Sequence, residues 1–377
     1  MSARQGTGHF HPGFWQNLAM IAALFWALWH VFGSGAPQWP LLGLSLVVVL
    51  ATLHDPARRR GLVVHAALLA GIALGLGVAA LSLLPLLPLE SRTGALALVV
   101  TTWLAAWMLV AMVSALPRGA GLAGRIQGLL APVLFGVTLI WIWEAVVRAF
   151  AVPRVILPPP SAIGARIAGS VDILWVDLVQ TVVKGALSGF AIGCGAAILF
   201  ALVVDRYLFL RRGLLPVGNF LAALPIIGTA PIFVMWFGFD WPSKAAVVVA
   251  MVFFPMLVNT VQGLRATEPM QRDLMHTWSA SWAQALIHLR LPAAMPFIFN
   301  GLKISATLAL IGAIVAEFFG SPTRGMGFRI STEVGRLQLD MVWAEITVAA
   351  LAGSAFYGFW ALLERRVTFW HPSQRGR

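Results

Sequence analysis

The chain has 377 residues, 59% of them hydrophobic and only 11% charged, with a formal net charge of +12. Soluble domains carry about a quarter charged residues, so the composition excludes a soluble fold and points to an all-α polytopic membrane protein. The alternation of an outer-membrane barrel is not visible. The basic residues sit in short clusters between apolar runs rather than on one face, which excludes a nucleic-acid binder.

About ten transmembrane helices are predicted, at 15–33, 39–53, 62–84, 95–116, 126–150, 174–204, 215–238, 243–263, 295–318 and 343–364. Most reach or approach the roughly 20 apolar residues that cross the hydrocarbon core. The first begins like a signal peptide, with Arg4 followed by Leu18 to Phe32, but bulky Trp26 and Trp29 and the spans that follow make it an anchor. The connection His54-Asp55-Pro56-Ala57-Arg58-Arg59-Arg60 is a basic cluster, assigned to the cytoplasm by the positive-inside rule. Alternating from there puts sixteen of the 26 basic residues on the cytoplasmic side and nine opposite, with Lys303 inside a helix and both termini cytoplasmic. Gly-rich, basic Pro117 to Arg125 divides an N-terminal four-helix membrane domain, 1–120, from a six-helix core, 121–377.

Beyond the fifth helix, Leu157-Pro158-Pro159-Pro160 enforces an extended stretch, and Ser161 is placed to cap a short surface helix after it. In the sixth helix Thr181, Gly185, Gly189, Gly193, Ala197 and Ala201 recur every four residues, a small-residue ridge for close helix packing. Asp177 and Lys184 lie about 10 Å apart on the same helix and are read as snorkelling outward. The one cysteine, Cys194, is a packed thiol in an apolar run, so neither a disulfide nor a Cys-based metal site is expected, and no His pair has metal-ligand spacing inside a span. Among the carboxylates near or within predicted spans, Glu144 and Glu317 stand out, since a charge at mid-membrane costs about 2.5–3.5 kcal/mol. Arg148, one turn after Glu144, can pair with it. Both carboxylates are candidates for the translocation path, against a purely structural role.

The most informative stretch is the long cytoplasmic connection Arg265 to Met295. It reads as two short helices, one from Pro269 to Trp278 and one from Trp282 to Arg290 that Pro292 ends. Ser281-Trp282-Ala283-Gln284 has the form of a capping box. Small residues Ser279-Ala280-Ser281 form the corner, where a backbone or a partner can come close.

Asp273-Leu274-Met275, the small residues Ser279-Ala280-Ser281, then Arg290-Leu291-Pro292 and Gly301-Leu302 together resemble the cytoplasmic coupling loop of ABC importer permeases. Trp143-Glu144, Leu157-Pro158-Pro159-Pro160-Ser161, Leu224-Pro225, Ala230-Pro231, Trp236-Phe237-Gly238, Phe254-Pro255, Asn259-Thr260, Ala316-Glu317 and Gly325-Met326-Gly327 are similar to the subfamily serving aliphatic sulfonates, taurine, nitrate, bicarbonate and thiamine-precursor pyrimidines. The resemblance covers about residues 124 to 372. It implies a type I importer permease core working as a homodimer in the bacterial inner membrane, with an ABC ATPase subunit dimer and an extracytoplasmic substrate-binding protein. It also implies that Asp273 to Arg290 docks on the ATPase, with Asp273 at the acidic position. Ser279 departs from the pattern, standing where the family has Gly. The four N-terminal helices match nothing in that core. No G-x-x-x-x-G-K-[ST] phosphate loop occurs, so ATP and Mg belong to the partner and no cofactor is expected in this chain, a transport subunit rather than an enzyme. A secondary transporter, with buried ionisable coupling sites, and a non-transporting membrane scaffold are the alternatives.

Overall fold

The computed structural model describes residues 92–115, 121–207, 226–320 and 324–370, with isolated positions between 70 and 81 and between 209 and 213. The predicted helices at 15–33 and 39–53, the basic loop 54–60 and the C-terminal tail from 371 lie outside the described residues, as do most of 62–84 and the first part of 215–238. The described residues are helical, with no strand among them, and five helices are long and apolar enough to cross a membrane. The chain forms two compact units, Met1–Ile163 and Gly164–Arg377.

In the first unit α1 (Arg92–Ala115) packs on α2 (Gly121–Ala149) around Val99, Ala145 and Ala149, with Leu81 and Trp141 against them. Small residues on α2 let the two helices approach. The chain then turns through Ala151, at φ 48°, into α3 (Pro160–Gly169). This helix begins one residue before the predicted cap. Pro160 takes the first helical position, where its missing N–H costs nothing, and Ser161 turns its hydroxyl toward Glu144 instead of capping.

The second unit is built on three long helices, α4 (Val171–Arg206), α6 (Trp241–Leu264) and α8 (Trp282–Gly320), with α10 (Leu339–Val367) packed on α8. Between them come α5 (Ile226–Phe237), α7 (Pro269–Thr277) and α9 (Met326–Gly335). The predicted ridge on α4 is buried along its whole length. A Cβ on Gly189 would stand 2.5 Å from Cβ of Val248, and one on Gly193 would stand 2.5 Å from Cγ2 of Val252. Helices α4 and α6 are therefore in backbone-to-side-chain contact, which is where packing in lipid finds its energy. On the other side of α6, Gly301 of α8 admits the sulfur of Met256. Phe190, Phe356 and Trp360 close the core between α4 and α10, the two Phe rings 4.9 Å apart.

Two long helices contain wide turns. Val179–Leu187 of α4 and Leu286–Arg290 of α8 are π-helical. The second of these corrects the expectation that Pro292 ends a helix: the chain continues helically through Pro292 and Pro296 to Gly320. The amide of Leu291 donates to the carbonyl of Leu286, five residues back. Widening the spiral just before Pro292 relieves the clash that its ring would otherwise make with the preceding turn. The second short helix and the ninth span are thus one rod.

The ridge yields a sharp contrast between two glycines on one helix. Gly189→Leu is expected to lower the stability of the detergent-solubilised protein by about 1–3 kcal/mol through overpacking. Gly195→Leu, where a Cβ meets nothing within 4 Å, is expected to leave the thermal unfolding midpoint unchanged. Equal midpoints for the two variants would contradict the α4–α6 packing.

Candidate functional site

The loop between α6 and α8 is held by bonds internal to itself. At the start of α7 the side chain of Gln271 accepts from the amide of Glu268 at 3.1 Å. Arg272 folds back onto Thr267 Oγ1 at 2.9 Å and onto the carbonyls of Thr267 and Arg265. At the other end of α7 the amide of Ala280 donates to Met275 O at 3.0 Å and that of Ser279 to His276 O at 2.9 Å. These are the two bonds of a Schellman ending, which puts its penultimate residue in the left-handed region and favours Gly there. Ser279 takes that place, at φ 52°. A Gly at this place, as the resemblance implies, has a backbone reason, and Ser occupies the same conformation at a cost of about 1–2 kcal/mol. The predicted capping box follows at once: Ser281 N–H donates to Gln284 Oε1 at 2.8 Å, and Gln284 N–H to Ser281 Oγ at 3.3 Å.

With its helix ends bonded in this way, the loop shows an apolar stripe. Met270, Leu274 and Trp278, one helical turn apart, are 80%, 52% and 73% exposed. Asp273 lies beside them and is exposed, as are Ser279 and Ser281, while Met275, Ala280, Leu291 and Pro292 are half-buried. Trp282 is anchored under the guanidinium of Arg206, 4.8 Å from its ring centroid. Arg290 turns inward, unlike the exposed residues of the loop. Its Nη2 meets Asp205 Oδ1 at 2.7 Å and its Nε donates to Leu264 O at 3.1 Å. It thereby ties the root of the loop to the ends of α4 and α6, where a cation also suits the carbonyl ends of the helices.

A second concentration of polar groups lies at the opposite end of the unit, about 40 Å along α8 from Arg290 at 1.5 Å per residue. Glu317 is 1% exposed. Its two oxygens stand 2.8 and 3.0 Å from Thr181 Oγ1, and one accepts from Gly327 N–H at 2.9 Å. Asp177, fully buried, accepts from Gly325 N–H at 2.7 Å and from Arg329 Nε at 2.9 Å. Thr181 accepts from Met326 N–H at 2.8 Å. Three successive amides at the start of α9 are therefore held by side chains of α4 and α8, and the positive end of α9 faces the two carboxylates. The Gly-Met-Gly sequence follows from this closeness. A Cβ on Gly325, at φ 120°, would lie within the Glu317 carboxylate, and one on Gly327 would strike the carbonyl of Ile314. Lys244, fully buried at the start of α6, reaches the carbonyl of Phe239 at 3.5 Å and lies near Glu317.

Sequence reasoning missed most of this centre. Asp177 and Lys184 were expected to reach outward, yet Asp177 is sealed inside. It lies four residues before Thr181 on the ridge, and that spacing was the available signal. Glu345 sits within the predicted tenth span, and the cost argument that singled out Glu144 and Glu317 applies to it equally. Lys244, one of the nine basic residues expected on the far side of the membrane, is likewise sealed inside. In the first unit, Glu144 pairs with Arg148 at 2.5 Å as the spacing suggests, and it also accepts from Ser161 N–H at 2.8 Å and Ser161 Oγ at 2.7 Å. Glu144 and Glu317 belong to different units of the chain. Among the described residues no group of three His, Cys, Asp or Glu has metal-site geometry.

Comparison with known proteins gives this geometry its context. Residues 189–369 match the family described as the binding-protein-dependent transport system inner membrane component. The chain is 32% identical to the formylaminopyrimidine transport permease protein of Halalkalibacterium halodurans, over 65% of this chain and 97% of that one. It is 29% identical to the riboflavin transport system permease protein of Chloroflexus aurantiacus, over 62% and 88% of the two chains. It is 28% identical to the taurine transport system permease protein of Escherichia coli, over 62% and 86%. The family match takes in the loop and, of the buried polar centre, Lys244, Glu317 and the Gly325-Met326-Gly327 turn, and these relatives do not favour a secondary transporter or a scaffold. The chain belongs to the family of binding-protein-dependent transport system inner membrane components and is the multi-pass permease subunit of an ABC transporter.

Proposed function

We propose that the chain forms the translocation path of an ATP-driven importer, receives a small solute from an extracytoplasmic binding protein, and is driven by a separate ATPase that docks on the loop from Asp273 to Arg290. The observation that carries this reading is the stripe of Met270, Leu274 and Trp278, exposed on a loop whose helix ends are capped by its own hydrogen bonds. Exposed apolar surface rimmed by polar groups such as Asp273 is a protein-docking surface, and a short helix with anchors one turn apart suits a groove on a partner. Arg290, braced against Asp205 and Leu264, passes a displacement of the loop directly to α4 and α6. ATP and Mg are held by the ATPase, and this chain carries no cofactor of its own.

The working assembly in this proposal has two copies of the chain, an ATPase pair and one binding protein. Ten spans cross the bacterial inner membrane with both termini cytoplasmic. Residues 1–120 form a four-helix domain of separate role, and 121–377 form the core. Glu317 and Glu144, each occupied by internal bonds, support the path by holding its walls. The solute is a small anion or heteroaromatic compound, a reading supported by relatives that serve formylaminopyrimidine, riboflavin and taurine.

Asp273→Lys inverts the charge beside the apolar stripe, and Ser279→Trp obstructs the corner. Both are expected to abolish capture of the co-expressed ATPase and the ATP hydrolysis stimulated by the binding protein, while the permease remains folded in the membrane. Ser279→Gly is expected to keep full coupling and to raise loop stability by about 1 kcal/mol, because Gly enters the left-handed region freely. Normal coupling in both disruptive variants would sink the docking assignment.

The topology has its own test. With Cys194 replaced by Ala, cysteines introduced at Arg59 and Ser279 are expected to resist a membrane-impermeant maleimide in intact cells and to react after the membrane is opened. Labelling from outside at either position would reverse the orientation.

A further inference from the structure

Glu345 of α10 is fully buried, and neither of its carboxylate oxygens has a hydrogen-bond donor among the described residues. Its carboxyl faces the carboxyl of Asp177, close enough to share a proton, that of Glu317, and the guanidinium of Arg329. Arg329 is engaged with Asp177 through Nε at 2.9 Å. Two carboxylates, one on α4 and one on α10, thus stand around one guanidinium carried by the short helix α9. One of them holds it.

A buried acceptor without a donor is a standing cost, and it is recovered when a charge-assisted bond reaches it. Packed interfaces respond to force by moving between discrete arrangements rather than by deforming continuously. A guanidinium has five donors in a rigid fork, and Nε alone joins Arg329 to Asp177. We propose that Glu345 is a positioning residue for transport: Arg329 passes from Asp177 to Glu345 as the bundle changes its arrangement, so that α9 follows α10 rather than α4 in one half of the cycle. The other charged groups of the centre fit this exchange. Glu317 keeps its bonds to Thr181 and Gly327, which hold the start of α9, and Lys244 lies near Glu317. The helix therefore pivots about its fixed N-terminus while its arginine changes partner. The link to ATP rests on the importer reading above, through α4, which carries Asp177 at one end and the Asp205–Arg290 pair at the other.

The test uses the full complex of permease and co-expressed ATPase in lipid nanodiscs, in a Cys194→Ala background, with spin labels at Val334 of α9 and Leu351 of α10. Both positions are exposed. The α9–α10 distance distribution is measured without nucleotide and after trapping with ATP and vanadate. In the otherwise unaltered protein the distance is expected to shift on trapping. Glu345→Gln is expected to lose that shift, with thermal stability no lower than its parent and basal ATP hydrolysis retained. Asp177→Asn is expected to hold the trapped distance in both conditions. A purely structural Glu345, sharing a proton with Asp177, predicts instead that the Gln amide replaces that hydrogen bond and the shift survives. A surviving shift in Glu345→Gln, or no shift in the parent with ATPase bound, overturns the hand-over. Failure of the parent to capture any ATPase overturns the importer coupling as well, and is read separately by copurification.

Discussion

Gly325, Met326 and Gly327 present three successive amides to Asp177, Thr181 and Glu317, side chains of two other helices, and the rest of the second unit is arranged around that contact. In a membrane an unsatisfied backbone group costs several kcal/mol, because no water stands by to bond it. A helix that starts at the end of a bundle must therefore find acceptors inside the protein. Here the acceptors are charged, and the amides repay part of the expense of burying those charges. The contact also demands closeness. It requires glycine at two positions of the Gly-Met-Gly turn, and it requires α4 and α8 to stand within reach of the same short helix.

The packing of α4 follows from the same geometry. The stripe that places Asp177 and Thr181 in the polar centre continues as Gly185, Gly189 and Gly193, and at the last two α6 comes close enough for Val248 and Val252 to occupy the space of the missing Cβ atoms. One face of one helix thus does two jobs. Its first turns make hydrogen bonds and its remaining turns pack. The π-helical segment Val179–Leu187 lies where one job passes to the other. A wide turn alters which residues share a face, as it does again before Pro292, where it lets a helix that sequence patterning would end run on into the membrane.

In the proposed coupling role, force and recognition are separated on the loop. Residues at the surface, Met270, Asp273, Leu274 and Trp278, make the face, while half-buried Arg290 and Asp205 join it to the membrane helices. The Schellman ending at Ser279 makes the corner rigid without burying it. Stiffness here comes from backbone hydrogen bonds rather than from a hydrophobic core, which leaves the apolar side chains free for a partner.

By itself the sequence determined the membrane class, the helical architecture, the position of the five long apolar helices among the described residues, the small-residue ridge, the capping box at Ser281 and the family. Each depends on local composition or on spacing within one helix, and hydropathy, period and cap chemistry are readable one segment at a time. The Glu144–Arg148 pair belongs to the same group, since its members are four residues apart. Only the tertiary structure decided which polar residues are sealed inside. Asp177 and Gly325 are 148 residues apart in the chain, and Arg290 and Asp205 are 85 apart. Whether a carboxylate near a helix end snorkels or turns inward depends on what another helix brings opposite it, and nothing in its own segment records that. The continuity of α8 through Pro292 was decided in the same way, because a proline stops a helix only when the turn before it has no room to widen.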